Sequence, residues 1–503
     1  MEYPFSSVEG MNRAIDVLSL ATLKKIAAIK VQVLKRVKPT RTEVDHVREV
    51  TSHVKASLQT VLESEAIPID FIEPQGSTGL KQTQLAGDSD VDLFIGLNPS
   101  LLDQYKELPK KQVREQLKSL FTRLINDVLT PGINDTLRPQ SITFSYAEHP
   151  YISVKVDGVK FDVVFCFNLT SDFIEREDIV TAMDRTPLHS KFVRDNLSDV
   201  QKDDVRLLKA FFKACHVYGD KSAPGSMGFI GYGVEILLHF FGTLENVMAN
   251  IPLLHGQPLD MFGREKDGVL STPRFANDFI IIIDPTDRNR NVGASMDQRC
   301  FTHAVHVIAE FLKEPSPEFF DITPIPDPEN DDPCFQALVF ENTREAHYTI
   351  VRDKLYRLGN LARKKLEREQ TGEERFGPIV FSVVLGKDEL QVAIAFHVRA
   401  TTIPDTFKQL GPSKTDARAR INKYMQQHPD AVIDENDTYY IMRTRRITEF
   451  TIALAKFFKD ELDIKGLTLV PGVNGAVVST SPEQAVGRQA IHVLKSMILP
   501  YMV

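Results

Sequence analysis

The feature that most constrains this chain is residues 75–95, QGSTGLKQTQLAGDSDVDLFI, in which a glycine turn precedes closely spaced aspartates. The second half alternates carboxylate and apolar residues before an apolar run, and this pattern predicts a β-strand. Because side chains two positions apart share one face of a strand, Asp90 and Asp92 are expected to lie side by side. Two ionised carboxylates at that spacing repel each other unless a cation such as Mg²⁺ lies between them.

The glycine turn before the aspartates adds a second property to this segment. Gly76 and Ser77 provide backbone N–H groups and a hydroxyl that can bind phosphate oxygens. A phosphate-binding turn followed by an Asp-x-Asp strand is similar to the signature of the nucleotidyltransferase superfamily that includes DNA polymerase β. The alternative from these residues alone, an acidic edge strand after a glycine turn, stays open at this point.

A third acidic residue follows in a predicted hairpin. Residues 152–156 alternate in polarity, Asp157 and Gly158 make a tight turn, and residues 159–165 return as a strand. Asp162 lies in the middle of this apolar strand, where a carboxylate is costly unless a charged group receives it. We therefore predict that Asp162 is the third metal ligand and that it can accept the proton of an attacking hydroxyl. An exposed aspartate on an edge strand is the alternative.

Composition limits the class of protein. The chain has 503 residues, enough for two to four domains with substantial cores. Its 42% hydrophobic and 25% charged content is that of an ordinary soluble globular protein. The formal net charge of −8 argues against a nucleic-acid coat protein but is compatible with an enzyme whose basic groups are local.

The cysteines and the hydropathy predict a reducing, cytoplasmic location. The four cysteines are far apart and fit neither a disulfide framework nor zinc-ligand spacing: Cys166, Cys215, Cys300 and Cys334. No apolar run approaches the ~20 residues needed to span a bilayer, so we expect no membrane association. A targeting peptide is an alternative for the N-terminal stretch, but Glu2, Glu9 and Asp16 do not fit its acid-poor composition.

Helical patterns surround the predicted site. An extra helix over about residues 11–37 is expected to pack on the catalytic domain, and a capping box from Thr40 to Glu43 starts the next helix. A charged helix over about residues 102–128 follows the Asp-x-Asp strand. Pro131 and Gly132 are expected to end this helix.

An ordered series of motifs resembles the archaeal-type (class I) CCA-adding enzymes, which are tRNA nucleotidyltransferases. The resemblance covers roughly residues 38–460, which makes it more specific than any one motif. The matching segments are residues 148–151 (EHPY), 156–158 (VDG), 161–164 (FDVV), 183–189 (MDRTPLH), 205–209 (VRLLK), 217–219 (VYG), 228–232 (GFIGY), 284–292 (DPTDRNRNV) and 410–412 (LGP).

The resemblance implies a role for each matching residue. It implies that Asp90, Asp92 and Asp162 bind Mg²⁺, with Asp90 standing where many members have Glu. It implies that Ser77, beside Gly76, and Lys81 hold the nucleotide triphosphate. The family often has Arg at the Lys81 position, which this chain reaches with one extra residue after the turn.

The remaining implied roles concern the sugar, the phosphates and the base. By resemblance, His189, Lys209 and Tyr218 contact nucleotide phosphates and sugar, and Arg290 lies near the base in a pocket that selects C or A without a template. The chain departs from the family at Met227, where a basic residue is usual. Lys221 or another cation is the expected substitute.

Lys209 and Tyr218 have other interpretations when taken alone. Val205, Leu208, Phe212 and Cys215 mark the buried stripe of a helix, and Lys209 flanks it as a solvated lysine would. Tyr218 would lie on the opposite side of a continued helix. We therefore expect the helix to end at Gly219, which would turn the Tyr218 side chain toward the side that carries Lys209.

The C-terminal half is predicted to follow a linker. Residues 279–283 form a short buried strand, a loop starts at Pro285, and a helix covers about residues 296–312. Residues 315–317 (PSP) and the Pro- and Asp-rich residues 323–333 are expected to form this linker. A basic helix at 352–368 and strands at 378–385 and 390–397 then indicate an α+β tail.

Basic and aromatic residues in the tail suggest contact with folded RNA. Lys414, Arg418, Arg420 and Lys423 are expected to form one helix face, and Tyr439 and Tyr440 lead to a group of arginines at 443, 445 and 446. An ordinary charged surface is the alternative.

The prediction is thus an α+β multidomain protein with a polymerase β-like catalytic domain. We assign residues 1–37 to an N-terminal extension, 38–170 to the catalytic domain, 171–315 to a helical nucleotide- and tRNA-binding domain, and 316–503 to an α+β tRNA-binding tail. The resemblance implies addition of CCA to tRNA from CTP and ATP, with the acceptor stem and T arm bound, and is compatible with a homodimer. The alternatives are another template-free nucleotidyltransferase, poly(A) polymerase-like or oligoadenylate synthase-like, and an inactive RNA-binding scaffold.

Overall fold

The computed structural model describes residues 18–88, 90–105, 107–146, 150–170, 173, 182–328, 332–369, 373–470 and 485–502. The chain divides into two compact units. The first comprises residues 1–218, 229–296 and 305–322, and the second comprises residues 219–228, 297–304 and 323–503. The mixture of helices and sheets confirms the predicted α+β multidomain fold.

The first unit contains a five-stranded sheet and most of the helices. Its helices are α1 (Leu20–Val37), α2 (Arg41–Ser64), α3 (Lys110–Arg123), α4 (Thr130–Leu137), α5 (Ala182–Asn196), α6 (Asp199–Ala214), α7 (Gly231–Phe241), α8 (Leu244–Asn250) and α9 (Lys266–Leu270). Its strands are β1 (Ile69–Gln75), β2 (Val91–Leu97), β3 (Ser141–Tyr146), β4 (Pro150–Val156), β5 (Val159–Phe167), β6 (Ile283–Asp284) and β7 (Asp287–Asn291). Helix α10 (Gln298–Lys313) contains residues of both units.

The sheet explains how the predicted acidic residues come together. Its strand order is β1-β2-β5-β4-β3, and only the central pair, β2 and β5, is parallel. Alternate residues of β2 and β5 pack into the core against α2 and α3, including Leu93, Ile95 and Val163. The intervening residues, among them Phe94 and Val164, form the second face. Asp92 and Asp162 occupy this second face at the beginning of the parallel pair.

The predicted hairpin and capping box are confirmed. Strands β4 and β5 pair antiparallel around Asp157 and Gly158, which both have positive φ. The Thr40 side chain accepts a hydrogen bond from the Glu43 N–H, and the Glu43 carboxylate accepts one from the Thr40 N–H.

The prediction that Pro131 and Gly132 end a helix is wrong. The chain runs from α3 through a π-helical turn, Leu124–Leu129, and then continues as α4 to Leu137. Pro131 lies in the first turn of α4, where a missing backbone N–H is tolerated. A Cβ atom at Gly132 would lie 2.5 Å from Val61 Cγ1, so glycine allows α2 to approach closely.

The N-terminal prediction extends beyond the described residues. Helix α1 begins at Leu20, and residues 1–17 lie outside the described part. The helix packs mainly against α6 rather than against the five-stranded sheet, and Lys30 forms ion pairs with Asp204 of α6 and Glu245 of α8.

The second unit is an α+β layer structure, as predicted for the tail. Its strands are β8 (Phe335–Asn342), β9 (Ile379–Leu385), β10 (Gln391–Val398), β11 (Thr406–Ser413), β12 (Val432–Ile433), β13 (Thr438–Thr444) and β14 (Leu467–Leu469). Its helices are α11 (Tyr348–Glu367), α12 (Arg418–Gln427), α13 (Phe450–Glu461) and α14 (Ala485–Val493). Helices α11 and α13 cover one face of the sheet β14-β8-β10-β9, and α14 covers the other.

Two details of the tail prediction need correction. Lys414 precedes α12 and forms an ion pair with Asp437, so it does not share the basic face of that helix. Arg445 is largely buried and pairs with Glu369, which gives it a structural contact.

None of the helices in the described ranges is long and apolar enough to cross a membrane.

Candidate active site

Two of the predicted metal-binding carboxylates lie directly opposite each other on neighbouring strands. Asp92 on β2 is the register partner of Asp162 on β5 in the parallel pair. Asp90, just before β2, is exposed. The sheet therefore brings all three predicted acidic residues to the same end of the central strand pair.

A lysine that the sequence prediction missed joins these carboxylates. Lys160 Nζ lies 3.1 Å from Asp162 Oδ2 and 3.5 Å from Asp90 Oδ2. Ser153, on the neighbouring strand β4, donates a hydrogen bond to Asp162 Oδ1. The signal in the sequence was that Lys160 is two residues before Asp162 and shares its strand face.

The charges around Asp92 indicate a site that accepts a cation. The Asp92 side chain is reachable by solvent, but surrounding protein atoms remove much of its hydration. This desolvation and the adjacent Asp162 raise the pKa of Asp92 to about 6. In the described part of the chain, no three His, Cys, Asp or Glu side chains converge closely enough to hold a metal ion. The carboxylate oxygens still fit a hard divalent cation, which would compete with Lys160.

Gly76 places the predicted phosphate-binding turn against this cluster. Its φ is +68°, and a Cβ atom built there would lie 2.4 Å from Asp92 Oδ2. The turn continues with hydrogen bonds from Lys81 N–H to Gly76 O and from Thr83 N–H to Ser77 O. Glycine is therefore needed for both the left-handed backbone and the close approach of Asp92.

We expect Gly76→Ala to reduce activity strongly, because the new methyl group must displace the Asp92 carboxylate. A catalytic group misplaced by about 1 Å costs roughly a hundredfold in rate, so we expect a fall in kcat of at least that size. Gly87→Ala is the matched control, since Gly87 has φ +79° but no atom within 4 Å of an added Cβ. Equal loss of the single-turnover rate in both variants would show that backbone strain alone explains the effect.

The two predicted triphosphate-binding lysines meet at a buried glutamate. Lys81 Nζ lies 2.8 Å from Glu235 Oε2, and Lys209 Nζ lies 3.2 Å from Glu235 Oε1. Thr83 donates to Glu235 Oε1 at 2.6 Å and accepts from Lys209 Nζ at 3.0 Å. The interpretation of Lys209 as a solvated lysine is wrong, because the residue is only 4% exposed.

The pKa values agree with a charged, buried cluster. Burial alone raises the pKa of Glu235, but Lys81 and Lys209 outweigh this and lower it to about 2. Burial lowers the pKa of Lys209, and Glu235 partly offsets the decrease. Two lysines facing one glutamate leave the cluster with one excess positive charge, which suits an anionic ligand.

His189 and Arg290 form a second buried cluster around Asp284. His189 Nε2 lies 2.8 Å from Asp284 Oδ2 and 3.0 Å from Arg290 Nη1, and Arg290 Nη1 lies 3.1 Å from Asp284 Oδ2. Tyr232 donates to Asp284 Oδ1 at 3.0 Å and stacks on the His189 ring. Burial lowers the pKa of His189 despite the nearby Asp284 carboxylate.

Arg290 lies on a strand rather than in the predicted loop. Residues 285 and 286 form the turn of the β6–β7 hairpin, and Asn291 opposite Ile283 closes it. The Asn291 amide also binds the backbone N–H of Ile282 and the carbonyl of Ile280. These contacts fix the strand, and Arg290 thereby reaches His189.

Tyr218 joins the lysine cluster after an earlier helix end than predicted. Helix α6 ends at Ala214, and His216 has φ +59°, so the chain turns before Gly219. The Tyr218 hydroxyl lies 2.9 Å from the position that a Cβ atom on Gly231 would occupy, and the same position is 3.7 Å from Lys209 Cε. Tyr218 and Lys209 therefore meet at the beginning of α7.

Lys81 connects the carboxylates, the Glu235 cluster and the Asp284 cluster. Its charge partly offsets the rise in the pKa of Asp92, its Nζ atom pairs with Glu235, and the same atom lies 4.8 Å from the centre of the Tyr232 ring. The sequence prediction missed Glu235 and Asp284. Each is a lone acid beside an apolar run, the same signal that identified Asp162.

The expected substitute at Met227 is engaged elsewhere in the second unit. Lys221 Nζ lies 2.5 Å from Glu389 Oε1. The Met227 sulfur accepts a hydrogen bond from Arg352 Nη1 at 3.7 Å.

Known proteins resemble this chain over 59–87% of its length, and a family model matches one segment of it. Residues 203–321 match the family model "tRNA nucleotidyltransferase, second domain". A CCA-adding enzyme of Methanocaldococcus jannaschii is 30% identical over 300 residues, which cover 59% of this chain and 61% of the relative. A CCA-adding enzyme of Pyrobaculum aerophilum is 31% identical over 60% of this chain and 63% of the relative. The CCA-adding enzyme of Pyrobaculum islandicum is 26% identical over 87% of this chain and 94% of the relative.

The chain is therefore similar to the archaeal CCA-adding enzymes, a family of tRNA nucleotidyltransferases. It spans about three fifths of the length of the first two relatives of that family. Nucleotidyltransferases of this family use divalent metal ions. This agrees with the paired carboxylate oxygens of Asp92 and Asp162 at the candidate site.

Proposed function

We propose that this protein adds and repairs the 3′-terminal CCA sequence of tRNA, using CTP and ATP without a template and releasing diphosphate. The observation that carries the proposal is the register pairing of Asp92 with Asp162 beside the Gly76 turn. The relatives support it because those at 26–31% identity are CCA-adding enzymes.

We propose Mg²⁺ as the divalent ion, held by Asp90, Asp92 and Asp162. When bound, it would neutralise charge on the reacting phosphoryl group and lower the pKa of the attacking 3′-hydroxyl. Asp162, whose carboxylate accepts hydrogen bonds from Ser153 and Lys160, would also take up the proton of that hydroxyl.

The turn and the lysine cluster would orient the nucleotide. Gly76 and Ser77 would bind the triphosphate with backbone and hydroxyl groups, and Lys81 and Lys209, which pair with Glu235, would supply the excess positive charge. Because these donors are fixed before the nucleotide arrives, little reorganisation is needed when charge develops. His189 and Tyr218 would lie toward the sugar.

Arg290→Ala is expected to lower discrimination against UTP and GTP and to slow both C and A addition. A guanidinium can donate to cytosine O2 and N3 or to adenine N1. Its side chain is partly exposed, which leaves N–H groups for a base in addition to His189 and Asp284. Arg288→Ala, an exposed residue of the same strand, is the control.

Misincorporation assays beside a salt titration of tRNA binding measure this effect. Unchanged fidelity with a shallower salt slope would mean that Arg290 binds an RNA phosphate instead of reading the base.

We also propose that the tail binds the acceptor stem and T arm of tRNA by shape and backbone, in a cytoplasmic enzyme that is compatible with a homodimer. Basic residues on α12 and Arg443 are exposed on the second unit and suit RNA phosphates.

The test of the function offers each nucleoside triphosphate singly, with tRNA lacking its 3′ CCA or with an unstructured RNA of equal length. The proposal expects CTP incorporation on the tRNA and little on the unstructured RNA. Efficient ATP addition to both would indicate a poly(A)-type enzyme, and no addition to either would indicate a binding protein.

A further inference from the structure

The residues that follow Gly76 line a cavity that the proposed reaction does not use. Thr78, Gly79 and Leu80 form one wall, and residues of α2, α5 and α6 form the others. The cavity has a volume of about 380 Å³ and lies wholly within the first unit. That volume is within the range of small-ligand sites.

The charged side chains that line this cavity are all basic. Its lining contains Arg48, Lys55, Arg194 and Lys202 and no acidic residue. Arg48 pairs with Asp45 and Arg194 with Asp195, both outside the lining. For Lys55 and Lys202, no ion pair occurs with any residue in the described ranges, although Lys202 is only 9% exposed. Unneutralised cations beside a cavity favour an anion.

A buried amide makes the cavity more specific. Gln84 is 7% exposed and lines both this cavity and an adjacent one of about 210 Å³. Its Oε1 atom has no hydrogen-bond partner among the described residues. Buried polar atoms are almost always paired, so an unpaired acceptor on a residue that lines a cavity calls for a donor such as a ligand hydroxyl.

We propose that this cavity binds a ribonucleotide phosphate, with Lys55 and Lys202 contacting the phosphate and Gln84 accepting a hydrogen bond from the sugar. The phosphate belongs either to a free nucleotide or to an RNA strand. Because Thr78 and Gly79 belong to the turn that contains Gly76, the bound phosphate contacts the back of the nucleotide-binding turn. None of its ligands is among the residues assigned to catalysis.

Equilibrium binding to the full-length protein in EDTA tests the proposal, since chelation removes the metal-dependent contribution of the carboxylate cluster. The probes are labelled ATP and a labelled single-stranded RNA. We expect saturable binding that Lys55→Gln/Lys202→Gln weakens by about tenfold or more, with a salt slope smaller by about one for each lysine that contacts a phosphate. Lys111→Gln, an exposed lysine outside the cavity, is the matched control.

Three further variants keep the test decisive. Lys55→Gln alone changes an exposed side chain and covers the case in which loss of Lys202 impairs folding. Gln84→Glu adds a negative charge and is expected to abolish the component of binding that Lys55→Gln/Lys202→Gln weakens, whereas Asp92→Ala is expected to leave that component unchanged. Weakened ATP binding assigns a free nucleotide, and weakened RNA binding alone assigns an RNA strand. No binding by the wild type, or equal binding by the wild type and the cavity variants, overturns the proposal.

Discussion

Asp92→Ala is expected to abolish addition of both C and A while binding of tRNA persists. Asp92 is the carboxylate nearest to the Gly76 turn, and its pKa is raised to about 6 because burial and Asp162 disfavour the charged form without a cation. Its loss removes a charged ligand and leaves the substrate-orienting groups in place. We expect kcat to fall on the order of 10³-fold or more, as when other enzymes lose a catalytic group.

Two companion variants sharpen this test. Asp162→Asn should behave like Asp92→Ala, because an amide neither carries the negative charge nor accepts a proton. Asp127→Asn removes a carboxylate from an exposed helical position of the same unit and should keep full activity. Substantial incorporation by Asp92→Ala at saturating Mg²⁺, in single-turnover assays, would contradict the assigned role of the pair.

Glu235→Gln is expected to cause the largest loss of stability. Glu235 is 1% exposed and neutralises part of the charge of Lys81 and Lys209, which are 7% and 4% exposed. Removing one partner of a buried ion pair leaves uncompensated charge and costs about 3–5 kcal/mol. We expect a lower midpoint of thermal unfolding by calorimetry, together with weaker binding of both nucleotides.

The acid dependence of this loss gives an independent check. The pKa of Glu235 is lowered to about 2, so its stabilising contribution is complete above its ordinary value of 4.5. The contribution then decreases as the pH falls from about 4.5 toward 2. The difference between wild type and Glu235→Gln should therefore shrink over that interval.

A control variant at an exposed glutamate tests whether the loss of stability is specific to the Glu235 cluster. Glu49→Gln, on the exposed face of α2, should change neither stability nor nucleotide binding. Adding Lys209→Gln to Glu235→Gln should recover part of the lost stability, because it removes one of the unpaired charges. A difference between wild type and Glu235→Gln that is constant with pH would contradict the charged-cluster interpretation.

The sequence predicts local structure well where a single physical cause decides it. Alternation with a tight turn at Asp157 and Gly158 gives the hairpin, and the capping box at Thr40 gives the helix start. The same reasoning fails at Pro131, because a π-helical turn places the proline where its missing N–H is harmless. The positions of proline and glycine in the sequence do not predict that shift in hydrogen-bond register.

Contacts between distant parts of the chain are what the sequence cannot provide. Asp162 could be recognised as a costly acid within an apolar strand, but its pairing with Asp92 depends on parallel strand pairing that no local pattern encodes. Lys209 looked like a solvated lysine, because its partner Glu235 lies on another helix. The partner of Asp284 likewise cannot be predicted from the sequence, because His189 lies far from it along the chain.

The most direct test of the central claim is the 3′-end sequence of the reaction product. Purified protein is incubated with tRNA that lacks its 3′ CCA, with Mg²⁺ and with CTP and ATP together, and the products are sequenced. The account predicts that tRNA ends in CCA and that synthesis stops there, with no such product from Asp92→Ala. Homopolymeric A or U tails, or unextended tRNA with the wild-type protein, would contradict it.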